Sequence, residues 1–88
     1  MTEKELLKAC LREDAASQKE LFLRYSGRML GVCNRYARNA ADAEDILQEA
    51  FIKVFDKMHQ FKFKGSFEGW VRRIVVNTAF KKIFFEPL

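Results

Sequence analysis

Apolar residues recur every three or four positions along two long segments of the chain, which is the spacing of one face of an α-helix. The stripe of the first segment consists of Leu21, Phe22, Tyr25, Met29, Val32, Cys33 and Tyr36. The stripe of the second segment consists of Ile46, Leu47, Ala50, Phe51, Val54, Phe55 and Met58. We therefore predict two long amphipathic helices, over residues 15–38 and 41–58.

Helix-start signals predict two further helices. Thr2 and Glu5 have the spacing of a capping box, which predicts a short first helix that ends near Leu11. Asp14 is a suitable N-cap for the long helix that follows. Ser66 caps a last helix over residues 67–84, whose apolar face consists of Phe67, Trp70, Val71, Ile74, Val75 and Thr78.

The segment 59–65 interleaves aromatic residues with lysines and lacks a second strand to pair with, so we predict a loop. The predicted fold class is all-α: a compact helical bundle of three main helices plus a short N-terminal helix. Gly27 and Gly31 lie inside the second helix, where each glycine costs about 1 kcal/mol relative to alanine. We therefore expect another helix to approach closely at these two positions.

Chain length and cysteine usage indicate one small intracellular domain. The 88 residues, 49% of them hydrophobic, suffice for a single modest core, and we treat residues 1–88 as one domain. Cys10 and Cys33 are far apart and have no second cysteine or histidine at ligand spacing, which predicts buried, reduced thiols. A signal peptide and an apolar run of membrane-spanning length are both missing from the sequence. We expect a cytoplasmic protein without membrane insertion.

The net charge of +4 is distributed unevenly. Residues 40–50 contain four acids and no base, whereas residues 51–82 contain eight bases and two acids. This asymmetry predicts two different partners, with the basic half facing a polyanion.

No constellation of catalytic residues is visible. His59 is the only histidine, and neither a nucleophile motif, a metal motif nor a phosphate-binding loop occurs. Helix geometry separates Asp42 and Glu44 from Asp45 and Glu49, so these four acids predict a solvated or partner-facing surface rather than a metal site. We expect a protein that is not an enzyme and that has no catalytic residues, metal or cofactor.

Two motifs resemble those of a known family. The run DAEDILQEAF at residues 42–51 resembles the DAEDxxQExF signature of region 2.2 of extracytoplasmic-function (ECF) sigma factors. The run FEGWVRRIVVNTA at residues 67–79 is similar to the stretch that forms regions 2.3 and 2.4 of that family. Residues 21–36 match region 2.1 loosely, so the resemblance covers nearly the whole chain.

The resemblance implies a single sigma region 2 domain that acts in bacterial transcription initiation. It also implies that the −35-reading region 4 domain of such factors is absent from this chain, which alone would not be a complete initiation factor. The implied partners are the RNA polymerase core, promoter DNA and an anti-sigma factor.

The polar side of the third helix is the predicted polymerase contact. The resemblance implies that this side binds the clamp helices of the β′ subunit. Its residues Asp45, Gln48 and Glu49 have i, i+3, i+4 spacing and project from one patch. Ile52 lies within that polar stripe, and an apolar residue ringed by polar ones is typical of an interface hot spot.

The resemblance also implies capture of the non-template single strand of the promoter −10 element as the duplex opens. The family places its flipped-base pocket on the loop that here contains Phe61, Lys62, Phe63, Lys64 and Ser66. Aromatic faces and cations are what hold unstacked bases and their phosphates. Beside the loop, the last helix presents a polar ridge of Arg73, Asn77 and Lys81 at four-residue spacing. Phe61 and Phe63 can alternatively fold back over the core.

The sequence is also compatible with two other functions. A truncated module could bind the polymerase or a regulator without recognising promoter DNA. A helix-turn-helix protein would bind duplex DNA, although no short helix pair with a polar reading helix can be drawn here.

Overall fold

A computed structural model describes residues 1–85 of the chain and folds them into four α-helices. These are α1 (Glu3–Leu11), α2 (Ala15–Asn34), α3 (Ala40–Lys57) and α4 (Phe67–Phe84), and a 3₁₀ turn, Met58–Gln60, follows α3. No strand occurs within residues 1–85. The predicted all-α bundle of three main helices plus a short N-terminal helix is confirmed.

Side-chain caps fix where each helix begins. Thr2 and Glu5 form the predicted capping box, and Asp14 accepts the backbone N–H of Ser17 as predicted. The N–H of Thr2 donates to the Glu5 carboxylate and lowers the pKa of that group. The hydroxyl of Ser17, together with its N–H, donates to the Asp14 carboxylate and lowers the pKa of Asp14. The hydroxyl oxygen of Ser66 accepts the N–H of Gly69 at 3.1 Å and begins α4 at the predicted residue.

The core lies between α2, α3 and α4, and α2 contacts each of the other three helices. Side chains without exposed surface at its centre include Leu21, Met29, Ile46, Val54, Val71 and Val75. The apolar stripes predicted for the third and fourth helices therefore face this core, with Phe55, Trp70 and Ile74 half-buried at its edge. The hydroxyl of Thr78 is satisfied within the core, because it donates to the carbonyl oxygen of Ile74 at 2.7 Å.

Both cysteines are free and buried, and they belong to the apolar core. Burial raises the pKa of the Cys10 thiol and raises that of Cys33 to about 11, because a thiolate is poorly solvated there. Protonated, inaccessible thiols of this kind are structural rather than reactive.

Two expectations about α2 were wrong. The helix ends at Asn34 and not near residue 38, because the N–H groups of Arg35 and Tyr36 bond three residues back, to Val32 and Cys33. Tyr36 therefore lies beyond the helix, and 38% of its surface is exposed. The glycine prediction also fails: Gly27 and Gly31 are exposed, and a Cβ added at either would meet no heavy atom of another element within 4 Å.

Within the described residues, none of the helices is both long enough and apolar enough to cross a bilayer.

Candidate functional site

An aromatic cluster anchors the loop between α3 and α4. Phe61 is the centre of the cluster and is only 9% exposed. The centroid of its ring lies 5.4 Å from that of Phe63, 5.3 Å from that of Phe67 and 5.6 Å from that of Trp70. Phe61 therefore packs over the core, which is the alternative that the sequence left open, and it fixes the loop to the first turn of α4.

The backbone of the loop turns sharply at two residues. Phe63 has a φ of 58° and Gly65 a φ of 76°, both in the left-handed region. Glycine adopts this conformation at little cost, whereas phenylalanine does so rarely. The turns leave Phe63 42% exposed, between the exposed side chains of Lys62 and Lys64. The Lys4 ammonium lies 5.8 Å from the centroid of the Phe63 ring and adds a cation from α1.

A cavity of about 580 Å³ opens beneath this loop. It is lined by Glu3, Lys4, Leu7, Tyr25, Arg28, Phe61, Phe63, Gly65, Ser66, Phe67 and Glu68. The lining combines aromatic rings with charged and hydroxyl groups, so the cavity suits a planar ring that has polar edges.

Hydrogen bonds link the polar groups of this lining. The Tyr25 hydroxyl donates to Oε1 of Glu3 at 2.9 Å, and the Arg28 guanidinium donates to Oε1 of Glu68. Burial, together with the bond to Glu3, raises the pKa of Tyr25 to about 12, so its hydroxyl stays protonated at neutral pH. The hydroxyl of Ser66 already accepts from the Gly69 N–H, and this predicted DNA contact therefore also has a structural role.

The polar ridge on α4 is exposed as predicted. Arg73, Asn77 and Lys81 follow one another at one helical turn each and lie on the solvent side of the helix. Their side chains present two cations and an amide that both donates and accepts hydrogen bonds.

The predicted patch on α3 is exposed in part. Asp45 and Gln48 are exposed, and Ile52 leaves 63% of its surface open. Glu49 differs, because it is half-buried and each of its carboxylate oxygens lies 3.6 Å from a lysine Nζ, that of Lys53 or that of Lys82. Lys82 belongs to α4, so its ion pair with Glu49 links the acidic patch on α3 to the basic helix α4.

The separation expected between Asp42 and Asp45 was wrong, because the two residues are about one helical turn apart on α3 and line the same surface depression. Among residues 1–85 no group of three or more histidine, cysteine, aspartate or glutamate side chains is arranged to hold an ion.

Several residues at these surfaces were missed by the sequence analysis. Glu3, Tyr25, Arg28 and Glu68 supply polar groups to the cavity lining although they are distant in sequence. Phe80, Phe84 and Phe85 are exposed near the end of α4. The four-residue spacing of Phe80 and Phe84, outside the core stripe, was the one signal in the sequence for this second group.

Comparison with known proteins assigns the chain to a family. The sequence profile of the family described as Sigma-70 region 2 matches residues 21–83. The RNA polymerase sigma-H factor of Pseudomonas aeruginosa is 34% identical over 77 residues, which cover 88% of this chain and 40% of that protein. The ECF RNA polymerase sigma-E factor of Escherichia coli strain K12 is 32% identical over 79 residues, 90% of this chain and 41% of that protein. The chain spans about two fifths of the length of these curated relatives.

A solved structure shares the fold. It is the NMR structure of the complex formed by an engineered region 2 of sigmaE with GTAAAA, and it is 31% identical in sequence. The two superpose with a TM-score of 0.84 over 92% of this chain and 84% of the other.

Proposed function

This chain belongs to the sigma-70 region 2 family, as a region 2 domain of the ECF type, and from this we propose that it acts in transcription initiation by binding RNA polymerase and promoter DNA. The family consists of non-enzymatic initiation factors, in agreement with the prediction that the chain is not an enzyme. In the proposal, α3 binds the clamp helices of the β′ subunit, and the loop with α4 captures the non-template strand of the −10 element. An anti-sigma factor is the proposed regulator.

The cavity beneath the loop is the observation that carries the DNA-binding half of the proposal. In the proposal, the 42% exposed ring of Phe63 stacks on the face of a flipped base, and the nearly buried rings of Phe61 and Phe67 complete the lining. The Tyr25 hydroxyl donates its proton to Glu3, so its oxygen is left to accept a hydrogen bond from the edge of the base. Lys62, Lys64 and Lys4 lie at the loop and supply charge for the phosphates. The neighbouring solved structure, named as a complex with GTAAAA, supports the assignment of this role.

The ridge on α4 continues the proposed DNA path. The Asn77 amide can pair with a base edge, because it carries both a donor and an acceptor. Arg73 and Lys81 flank it by one turn on either side and suit phosphates, which position a strand without reading its sequence.

The patch on α3 supports the polymerase-binding half of the proposal. Asp45, Gln48 and Glu49 offer carboxylate and amide groups to a basic partner, and the exposed Ile52 lies among them as an apolar contact. Each oxygen of the Glu49 carboxylate pairs with one of the two lysines Lys53 and Lys82, although such partly exposed ion pairs add little to stability. A cation of the partner would compete with these lysines for the same carboxylate.

A titration of the chain against fluorescently labelled −10 oligonucleotides tests the proposal. We expect weak but measurable binding to the single non-template strand and weaker binding to the matching duplex. A module that binds only the polymerase or a regulator would bind neither form, and a duplex reader would prefer the duplex. Either of those results would reject the proposed DNA role.

Replacement of Ile52 by aspartate is expected to weaken the complex with core polymerase by about 2 kcal/mol or more, because Ile52 would be desolvated at the centre of the interface. Asp56→Ala on the same helix is the matched control and should cost less than this, since Asp56 would lie at the rim. Both side chains are exposed, so helicity by circular dichroism should not change. Equal losses of affinity in a quantitative binding assay would contradict the hot-spot role of Ile52.

A further inference from the structure

Three phenylalanine side chains form an exposed cluster at the end of α4. Phe80 is 48% exposed, Phe84 65% and Phe85 71%. The ring centroids of Phe80 and Phe84 lie 4.7 Å apart, and those of Phe80 and Phe85 lie 5.9 Å apart. Such rings contribute nothing to the core of the domain, and a contiguous exposed apolar patch is typical of a binding surface.

The cluster continues the polar ridge of α4. Asn77 and Phe80 are three residues apart, and Phe80 and Phe84 are four apart, so both rings follow Asn77 on the same side of the helix. From Arg73 to Phe84 this side extends roughly 16 Å along the axis. The aromatic pair is therefore an extension of a surface that already offers cations and an amide.

The charge of α4 indicates what kind of partner fits. The helix contains four bases, Arg72, Arg73, Lys81 and Lys82, and one acid, Glu68, which lies at its opposite end and pairs with Arg28. A second copy of this chain would bring the same cations face to face across a two-fold axis, which is unfavourable. A polyanion would be attracted, and among polyanions a single-stranded nucleic acid also presents flat rings.

We propose that Phe80 and Phe84 form a second stacking platform, on which bases of the single strand rest beyond the loop pocket. The inference rests on the proposed capture of single-stranded DNA and adds a site that the family motifs do not specify. Bases stack on the two rings while Arg73 and Lys81 contact the adjoining phosphates. Stacking of this kind tolerates different bases, because every base has a π-face, so the platform adds affinity rather than sequence preference.

The test compares ring removal with conservative replacements in a fluorescence titration against the single strand. Phe80→Ala with Phe84→Ala should weaken binding roughly 5- to 150-fold, the range for loss of one stacked base, and by more if two bases stack there. Phe80→Leu with Phe84→Leu keeps apolar surface without a ring and should weaken binding nearly as much. Phe80→Tyr with Phe84→Tyr keeps the rings and should bind like the original chain. Leu23→Ala removes a 63% exposed apolar side chain from α2 and should have no effect.

Each other outcome is decisive. Original affinity in the leucine variant would show a general apolar contact and overturn the platform. Sedimentation that shows a dimer of the original chain and a monomer of the alanine variant, with DNA affinity unchanged, would assign the cluster to self-association. Unchanged affinity of the alanine variant refutes the platform alone, whereas failure of the original chain to bind any single strand refutes the proposed function as well.

Discussion

Replacement of Asp45 and Glu49 together by alanine is expected to abolish binding to core RNA polymerase while the helical fold persists. The two carboxylates are the charged groups of the proposed α3 patch, and truncation of one member of a charge pair at an interface costs about 2–5 kcal/mol. Two such losses would weaken the complex below the affinity that a pull-down assay detects. The measurement is capture of core enzyme by the immobilised domain, together with a thermal melt.

Stability should change little in this double variant. The ion pairs of Glu49 with Lys53 and Lys82 are partly exposed and contribute little to stability, and Asp45 is exposed. Surface substitutions of this kind usually change the free energy of unfolding by less than about 0.5 kcal/mol. Glu13→Ala with Glu20→Ala removes the same charge outside the patch and should leave capture intact. If the double variant still captured core enzyme at the original affinity, the polymerase would bind another face of the domain.

Two substitutions at the proposed DNA-binding surface are expected to weaken binding of single-stranded DNA in different ways. Lys64→Ala should reduce affinity for every single strand alike, because a phosphate contact carries no sequence information. It should also flatten the dependence of affinity on salt, since each phosphate contact contributes roughly −0.7 to the log–log slope on single strands. Asn77→Ala should instead remove the preference for the cognate −10 strand over a scrambled one, at a cost of roughly 1–3 kcal/mol.

A salt series on both strands with both variants separates these effects. The ratio of cognate to scrambled affinity reports base readout, and the salt slope reports phosphate contacts. If Asn77→Ala left that ratio unchanged, base readout would lie wholly in the loop 61–66. The exposure of Asn77 excludes a loss of core packing as the cause of either result.

Local signals in the sequence predicted most of the fold. Thr2, Asp14 and Ser66 marked three helix starts correctly, because a cap depends on residues only three positions away. The end of α2 was not predictable in the same way. Residues 35–39 contain no glycine or proline, and the apolar spacing continues to Tyr36, so nothing in the pattern signalled the turn at Arg35.

Long-range contacts account for what the sequence did not predict in the candidate site. Glu49 is held by Lys82, 33 positions away, and Arg28 by Glu68, 40 positions away, and spacing along one helix carries no information about either pair. The burial of Phe61 likewise depends on the rings of Phe67 and Trp70 across a turn. Exposure of Asp45, Gln48 and Ile52 on α3, and of the α4 ridge, by contrast, followed from helical periodicity alone.

In the loop 61–66, the residues that fix the shape of the backbone are different from those that can be replaced freely. Its path depends on the packing of Phe61 and on left-handed backbone at Phe63 and Gly65. A Cβ at Gly65 would have space, so the restriction there is torsional, and asparagine is the replacement that meets it best. Lys62 and Lys64 are under neither constraint. Evolution or a directed library could therefore change the charge that the loop presents to phosphates through positions 62 and 64, without any change of the loop backbone.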